Sequence, residues 1–131
     1  MKATIRRDST GGGVNNSRFI RGDTENIRIR VFGQSLEPEN FSFKFTAKTS
    51  AELPDAEATI QKTSSSGIAV SVISPNVVEA VIAIASSDTE LLMDGDRLFY
   101  DIQLATISPV LVWTLDKGRF QIVGDITQDN Q

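Results

Sequence analysis

The residues whose types and spacing could do chemistry are carboxylates. Asp94 and Asp96 flank Gly95, with Asp88 and Glu90 just upstream, a set that could gather oxygen ligands around calcium. A helix–loop–helix calcium loop needs further acidic positions and a glutamate at its twelfth residue, which are missing, so the set reads as a solvated turn. Asp101 and Asp125 are the lone carboxylates of interest for glycosidic chemistry, which needs two such groups converging across a cleft. Asp101 shares an alternating face with Phe99 and Gln103, where it is expected to be exposed or paired with Arg97 or Arg119. The chain has no His and no Cys, which removes imidazole bases, thiolate nucleophiles, disulfides and nearly all zinc chemistry. Gly11-Gly12-Gly13 lacks the Lys-Ser/Thr that completes a phosphate-cradling loop. These residues point to no catalytic group, no cofactor, no metal site and no small-molecule substrate. The chain reads as non-enzymatic.

What remains is binding. Net charge is −4, yet the first 21 residues hold Lys2, Arg6, Arg7, Arg18 and Arg21 against Asp8 alone. A basic arm on an acidic body is the one notable electrostatic feature. Three consecutive glycines carry the largest backbone entropy, so residues 1–17 read as a flexible N-terminal arm, with a sandwich domain over 18–127 and a tail over 128–131. Ile5, Arg6, Arg7 and Arg18 are the expected partner-binding residues, reaching an acidic surface such as a neighbouring copy's body. Nucleic acid is not an expected partner, because the basic residues have no interleaved aromatics except Phe19 and the body is acidic. The opening residues have no apolar core of a signal peptide, and no run is long and apolar enough to span a membrane, so no membrane partner is expected. Arg21-Gly22-Asp23 invites an adhesion-motif reading, but it sits at the entry to the first strong strand and reads as a structural turn.

The elements that must position these residues are strands. Leu98, Tyr100, Ile102 and Leu104 alternate with Phe99, Asp101 and Gln103, and Val112–Ile122 continues the pattern after a turn. Ile27, Ile29 and Val31 alternate with Arg28 and Arg30; Phe41, Phe43 and Phe45 alternate with Ser42 and Lys44. Ala58–Thr63 and Ile68–Val72 are further strands, Val77–Ala85 is apolar on both faces except Glu79, and Ser87–Leu92 could make one helical turn. Eight or nine short strands with turns between them predict an all-β, immunoglobulin-like antiparallel sandwich of Greek-key connectivity. The expected core is Ile27, Ile29, Phe43, Phe45, Ile68, Val70, Ile82, Tyr100, Ile102, Leu104, Trp113, Phe120 and Ile122.

One resemblance follows from the order of Arg21-Gly22-Asp23-Thr24, Phe43-Lys44-Phe45-Thr46-Ala47-Lys48, Tyr100-Asp101-Ile102-Gln103-Leu104, Thr114-Leu115, Gly118, Phe120 and Asp125-Ile126-Thr127. Together these resemble the small β-sandwich structural proteins of tailed bacteriophages, similar to the N-terminal module of the baseplate upper protein family. The resemblance implies a virion structural protein made in the bacterial cytoplasm and resident in the virion, present in many copies or as a homo-oligomer, with other virion structural proteins as partners. A tail or baseplate subunit is the first expectation, and a capsid decoration or neck protein the alternative. A carbohydrate-binding module is the reading from another class; it would need two or three exposed coplanar aromatics.

Overall fold

The computed structural model describes residues 2–32, 40–107 and 109–124. Nine strands are present among the described residues: β1 (Lys2–Arg7), β2 (Ser17–Ile20), β3 (Glu25–Phe32), β4 (Phe41–Lys48), β5 (Ile60–Thr63), β6 (Ile68–Ser74), β7 (Val77–Ile84), β8 (Arg97–Thr106) and β9 (Leu111–Val123). Single helical turns stand at Asp55–Glu57 and Ser86–Thr89. Period-2 burial drives each long strand: Ile27, Ile29 and Val31 are buried on β3 while Arg28 and Arg30 face out, and Leu98, Tyr100, Ile102 and Leu104 do the same on β8.

The strands form two sheets, one ordered β1-β3-β7-β6 and the other β2-β9-β8-β4-β5. All described ladders are antiparallel except β2–β9. Read by position, the first sheet is the A-B-E-D layer of an immunoglobulin-like sandwich. The second is the G-F-C layer with a further strand on each side, and β3→β4, β5→β6 and β7→β8 cross between layers. The fold is the expected all-β sandwich. Its two inner faces differ in chemistry. The first sheet contributes aliphatics (Ile27, Ile29, Ile68, Val78, Ile82), whereas the second contributes the rings of Phe19, Phe41, Phe43, Phe45, Tyr100 and Phe120. Phe45 stacks on Tyr100 at 6.1 Å between centroids, and Phe120 lies between Phe19 and Tyr100 at 4.6 and 5.8 Å. Of the expected core, Val70 and Trp113 are half-buried, packed against the core's margin, and the others are buried.

The expectation of a flexible arm over residues 1–17 is corrected. Lys2–Arg7 pair residue by residue with β3, from Lys2↔Phe32 to Arg7↔Ile27. The glycines are no hinge: Gly11 takes a left-handed φ of 76°, its N–H donates to Arg7 O at 2.7 Å, and Arg7 N–H donates to Gly12 O at 2.7 Å. They close a turn that brings Val14 into the core with no exposed surface. The physical reason is alternation: Ala3, Ile5 and Arg7 point inward while Lys2, Thr4 and Arg6 point out, so the segment has a face to bury. Phe32, Asn40 and the two hairpin turns lie at one end of the sandwich, because Phe32 pairs with Val77 and Asn40 O accepts from Ile107 N–H at 3.0 Å. The expected 128–131 tail and Asp125 lie outside the described residues.

Candidate functional site: an open sheet edge

A sheet ends in rows of unpaired backbone N–H and C=O groups, and a protein either blunts such an edge or uses it. The described strands leave four edges. β2 and β5 are four residues each, too short to offer much of a ladder. β1 carries Lys2, Arg6 and Arg7, and its Arg7 backbone groups are already taken by the turn at Gly11 and Gly12. β6, Ile-Ala-Val-Ser-Val-Ile-Ser, has neither charge nor proline. Ala69, Ser71, Val72, Ile73 and Ser74 are exposed, and a register shift at Ile73 is the edge's one irregularity.

The ladder fixes which groups are free. Ala83 N–H donates to Gly67 O at 2.9 Å beside the Ile68↔Ile82 pair. Antiparallel hydrogen bonding alternates, so Ala69 and Ser71 bond inward to β7 and the N–H and C=O groups of Val70 and Val72 face the open side, as does the Ile68 C=O, whereas the Thr63–Gly67 bridge ties the Ile68 N–H to the end of β5. The edge continues into an apolar end of the molecule. No Asp, Glu, Lys or Arg occurs between Lys62 and Glu79, nor between Asp101 and Asp116, and these two stretches hold the β6–β7 and β8–β9 turns. Val72, Ile73, Ile107, Val110, Leu111 and Val112 are all exposed there. Exposed apolar residues gathered at one end in this way suit an interaction face.

The residues expected to bind a partner sit elsewhere. Arg7 is 8% exposed: its guanidinium lies 4.2 Å from the centre of the Phe19 ring and its Nε is 3.6 Å from Glu25 Oε1. It closes the side of the sandwich and is not available to a partner. Ile5 is half-buried against the core, so it is corrected in the same way. Arg6 is exposed on the outer face of β1, and Arg18 is exposed on β2 beside Arg97 and Arg119. Of the four, Ile5 and Arg7 face the sandwich, whereas Arg6 and Arg18 face outward.

The candidate carboxylates have structural duties. Asp88 bridges Lys62 at 2.8 Å and accepts from Ala85 N–H at 2.7 Å, Asp94 accepts from Gly124 N–H at 2.8 Å, and Asp96 accepts from Met93 N–H at 2.8 Å. Among the described residues no group of three acidic side chains is placed to hold a metal ion. Asp101 is half-buried opposite Lys117 and makes no ion pair with Arg97 or Arg119; burial, then the Asp55 charge, pushes its carboxyl up, against the pull of Lys48 and Lys44. The Tyr100 hydroxyl donates to Asp116 at 2.7 Å, and burial, then that bond, holds it far above the ordinary phenol range. This is a buried tie between β8 and β9. Arg21-Gly22-Asp23 forms the turn between β2 and β3, where Gly22 N–H donates to Thr89 Oγ1 at 2.8 Å and Asp23 N–H to Ile20 O at 3.1 Å. The aromatic platform that carbohydrate binding would need is not assembled: Phe41, Phe43 and Phe45 are core, and among the described aromatics only Phe99 is substantially exposed.

No protein-family model matches the chain, and no curated protein matches it. Among solved structures, it is similar to the major subunit of aggregative adherence fimbriae type I from Escherichia coli, at 4% identity over 95% of each chain with a TM-score of 0.39. That protein is a fimbrial subunit and not a virion protein, and the expectation of a phage tail, baseplate, decoration or neck subunit is withdrawn. The quoted motifs explain the misreading. The Arg21–Thr24 turn, the rings of Phe43, Phe45 and Phe120 and the Tyr100 tie are what this sandwich needs for its own turns and core, and so they carry little family information.

Proposed function

We propose that the chain is a non-enzymatic structural module that assembles copy on copy by strand pairing at β6. The observation that carries this reading is the uncharged β6 edge, the one full-length edge without a guarding charge. Its partner is a second copy because the edge complements itself. The regular part, Ile68–Val72, has Val70 at its midpoint. An antiparallel pairing about Val70 sets Val70 opposite Val70 and Ile68 opposite Val72, so the two Val70 residues exchange hydrogen bonds and each Val72 N–H meets an Ile68 C=O. Small Ala69 and Ser71 face each other on the outer side, and the twofold axis gives the closed, isologous contact typical of soluble homodimers. The exposed Val72 and Ile73 would bury more apolar area beside it. The chain's lack of His and Cys supports a role that needs no turnover.

The absence of cysteine makes the test clean, since a single introduced Cys has no background. Val70→Cys places two thiols across the axis at a Cα separation of about 5.5 Å, inside the range a disulfide accepts. Mild oxidation is expected to give a covalent dimer with Val70→Cys and none with Thr4→Cys on β1. Dimers that cross-link through Thr4→Cys and not through Val70→Cys, or a chain that sediments as a monomer at every concentration, would overturn the reading.

A further inference from the structure

The outer face of the second sheet holds an arrangement that self-assembly does not explain. Arg18, Gln121 and Arg97 stand in one cross-strand row, since Arg18 pairs with Gln121 on β9 and Gln121 with Arg97 on β8. Phe19, Phe120, Ile122 and Leu98 point into the core, so Arg18, Arg119, Gln121 and Arg97 all point outward. Strand spacing puts Arg18 and Arg97 about 10 Å apart at Cα, and Arg119 about 7 Å from Gln121 along β9. A guanidinium at the end of each side chain can therefore meet the others over Gln121. They line a shallow cleft of about 180 Å³ together with Asn16, Ser17 and Gln121. The position of Arg119 is enforced locally: Asn15 Oδ1 accepts its N–H at 3.2 Å, and Gly118 leaves the room for Asn15, because any side chain there would collide with it.

Three guanidiniums converging without a counter-ion is unfavourable unless something fills the space. The described carboxylates that form ion pairs are held by other cations. Arg28 is bonded to Asp8 at 2.9 Å and Glu79 at 2.6 Å, Arg30 to Glu79 at 2.8 Å, and Lys44 and Lys48 to Asp55 at 2.7 and 2.8 Å. Among the described residues, no carboxylate lies within ion-pair distance of Arg18, Arg97 or Arg119. The planar fork of arginine matches a tetrahedral oxyanion through paired N–H···O bonds, and the Gln121 amide adds a neutral donor. Beside the cleft, an open groove of about 470 Å³ runs over Phe99, which is 39% exposed, and past Lys117.

We propose that Arg18, Arg97 and Arg119 bind a phosphate or sulfate group, with the Phe99 groove taking the body that carries it. The site is on the opposite sheet from β6 and stands or falls independently of assembly there. The test is a nuclear magnetic resonance titration of the arginine Nε–H signals with sodium sulfate, inorganic phosphate and phenyl phosphate, each against sodium chloride at matched ionic strength. Saturable shifts confined to these three arginines are expected, with phenyl phosphate binding more tightly than inorganic phosphate. Arg97→Gln or Arg119→Gln is expected to weaken binding about tenfold, the worth of one charge-assisted bond, and Lys2→Gln to leave it unchanged. Vesicles containing phosphatidylglycerol identify the source: retention lost in Arg97→Gln assigns the phosphate to a lipid headgroup, whereas retention insensitive to that change overturns the site. Shifts no larger than chloride gives, or equal binding by Arg97→Gln and the unaltered chain, overturn it too.

Discussion

The two edges of the first sheet, β1 and β6, solve the same problem in opposite ways. Both are flanked on one side only, by β3 and β7 respectively, and both leave a row of backbone groups facing outward. β1 is guarded. Arg6 and Lys2 present charge, the turn at Gly11 occupies Arg7's backbone, and Asp8 is held by Arg28 at 3.1 and 2.9 Å. β6 carries no charge, is tied by the preceding turn only at Ile68, and runs into exposed apolar residues. Both strands come from the same chain and pack on the same core, so the difference lies in edge chemistry and not in local strand propensity. A guarded edge keeps a strand inside its own molecule; an unguarded one makes the strand available to another.

The largest expected effect breaks the β1 side. Arg7→Ala removes the cation over Phe19 and leaves Glu25, 8% exposed, without its ion-pair partner and with only the Ser9 N–H donating to it at 3.3 Å. The cost is expected to be about 2–4 kcal/mol of unfolding free energy in urea. A loss below about 0.5 kcal/mol would mean that β1 hangs free of the sandwich. Deleting residues 1–8 should be worse still, since it opens the β3 edge as well.

The second prediction converts β6 into a guarded edge. Ser71→Lys places an ammonium opposite Glu79 within the same sheet, so the monomer should fold with a change within about 0.5 kcal/mol. Self-association should weaken about tenfold or more, read by sedimentation across a concentration series. Unchanged association would move the interface away from β6, towards the apolar turns at Val110 and Val112.

The smallest effect is electrostatic and belongs to the β1 side. The side-chain hydrogen bond from Arg28 holds the Asp8 carboxyl below its usual value, and the bonds from Arg30 and then Arg28 do the same for Glu79, burial opposing in each case. A depressed carboxylate adds stability that is present above its unfolded value near 3.8 for Asp8 and is lost as pH falls through the folded value. Asp8→Asn should therefore cost about 0.5 kcal/mol at pH 7, less at high salt, and nothing at pH 2. A penalty that persisted at pH 2 would show that the side chain matters by shape and not by charge.

The sequence by itself determined the class of fold and most of the core. Period-2 alternation is local and survives any topology, so Ile27, Ile29, Tyr100 and Ile102 were legible as buried from spacing alone. Val70 is half-buried on the edge strand β6 and Trp113 near the β8–β9 turn, and alternation carries no information about a residue's distance from a sheet's margin. The same alternation was present at Ala3, Ile5 and Arg7, but the triple glycine outweighed it. Composition reports chain entropy, whereas only the turn geometry, with Gly11 at φ 76°, shows the entropy already spent. The uncharged stretch from Lys62 to Glu79 could be read from the chain; that it forms an edge could not, because strand order depends on crossovers between layers. Arg18 could be singled out as a free cation. Its meeting with Arg97 and Arg119, from strands far apart in sequence, was decided by the β2–β9 and β8–β9 registers, which are set by the whole core closing at once.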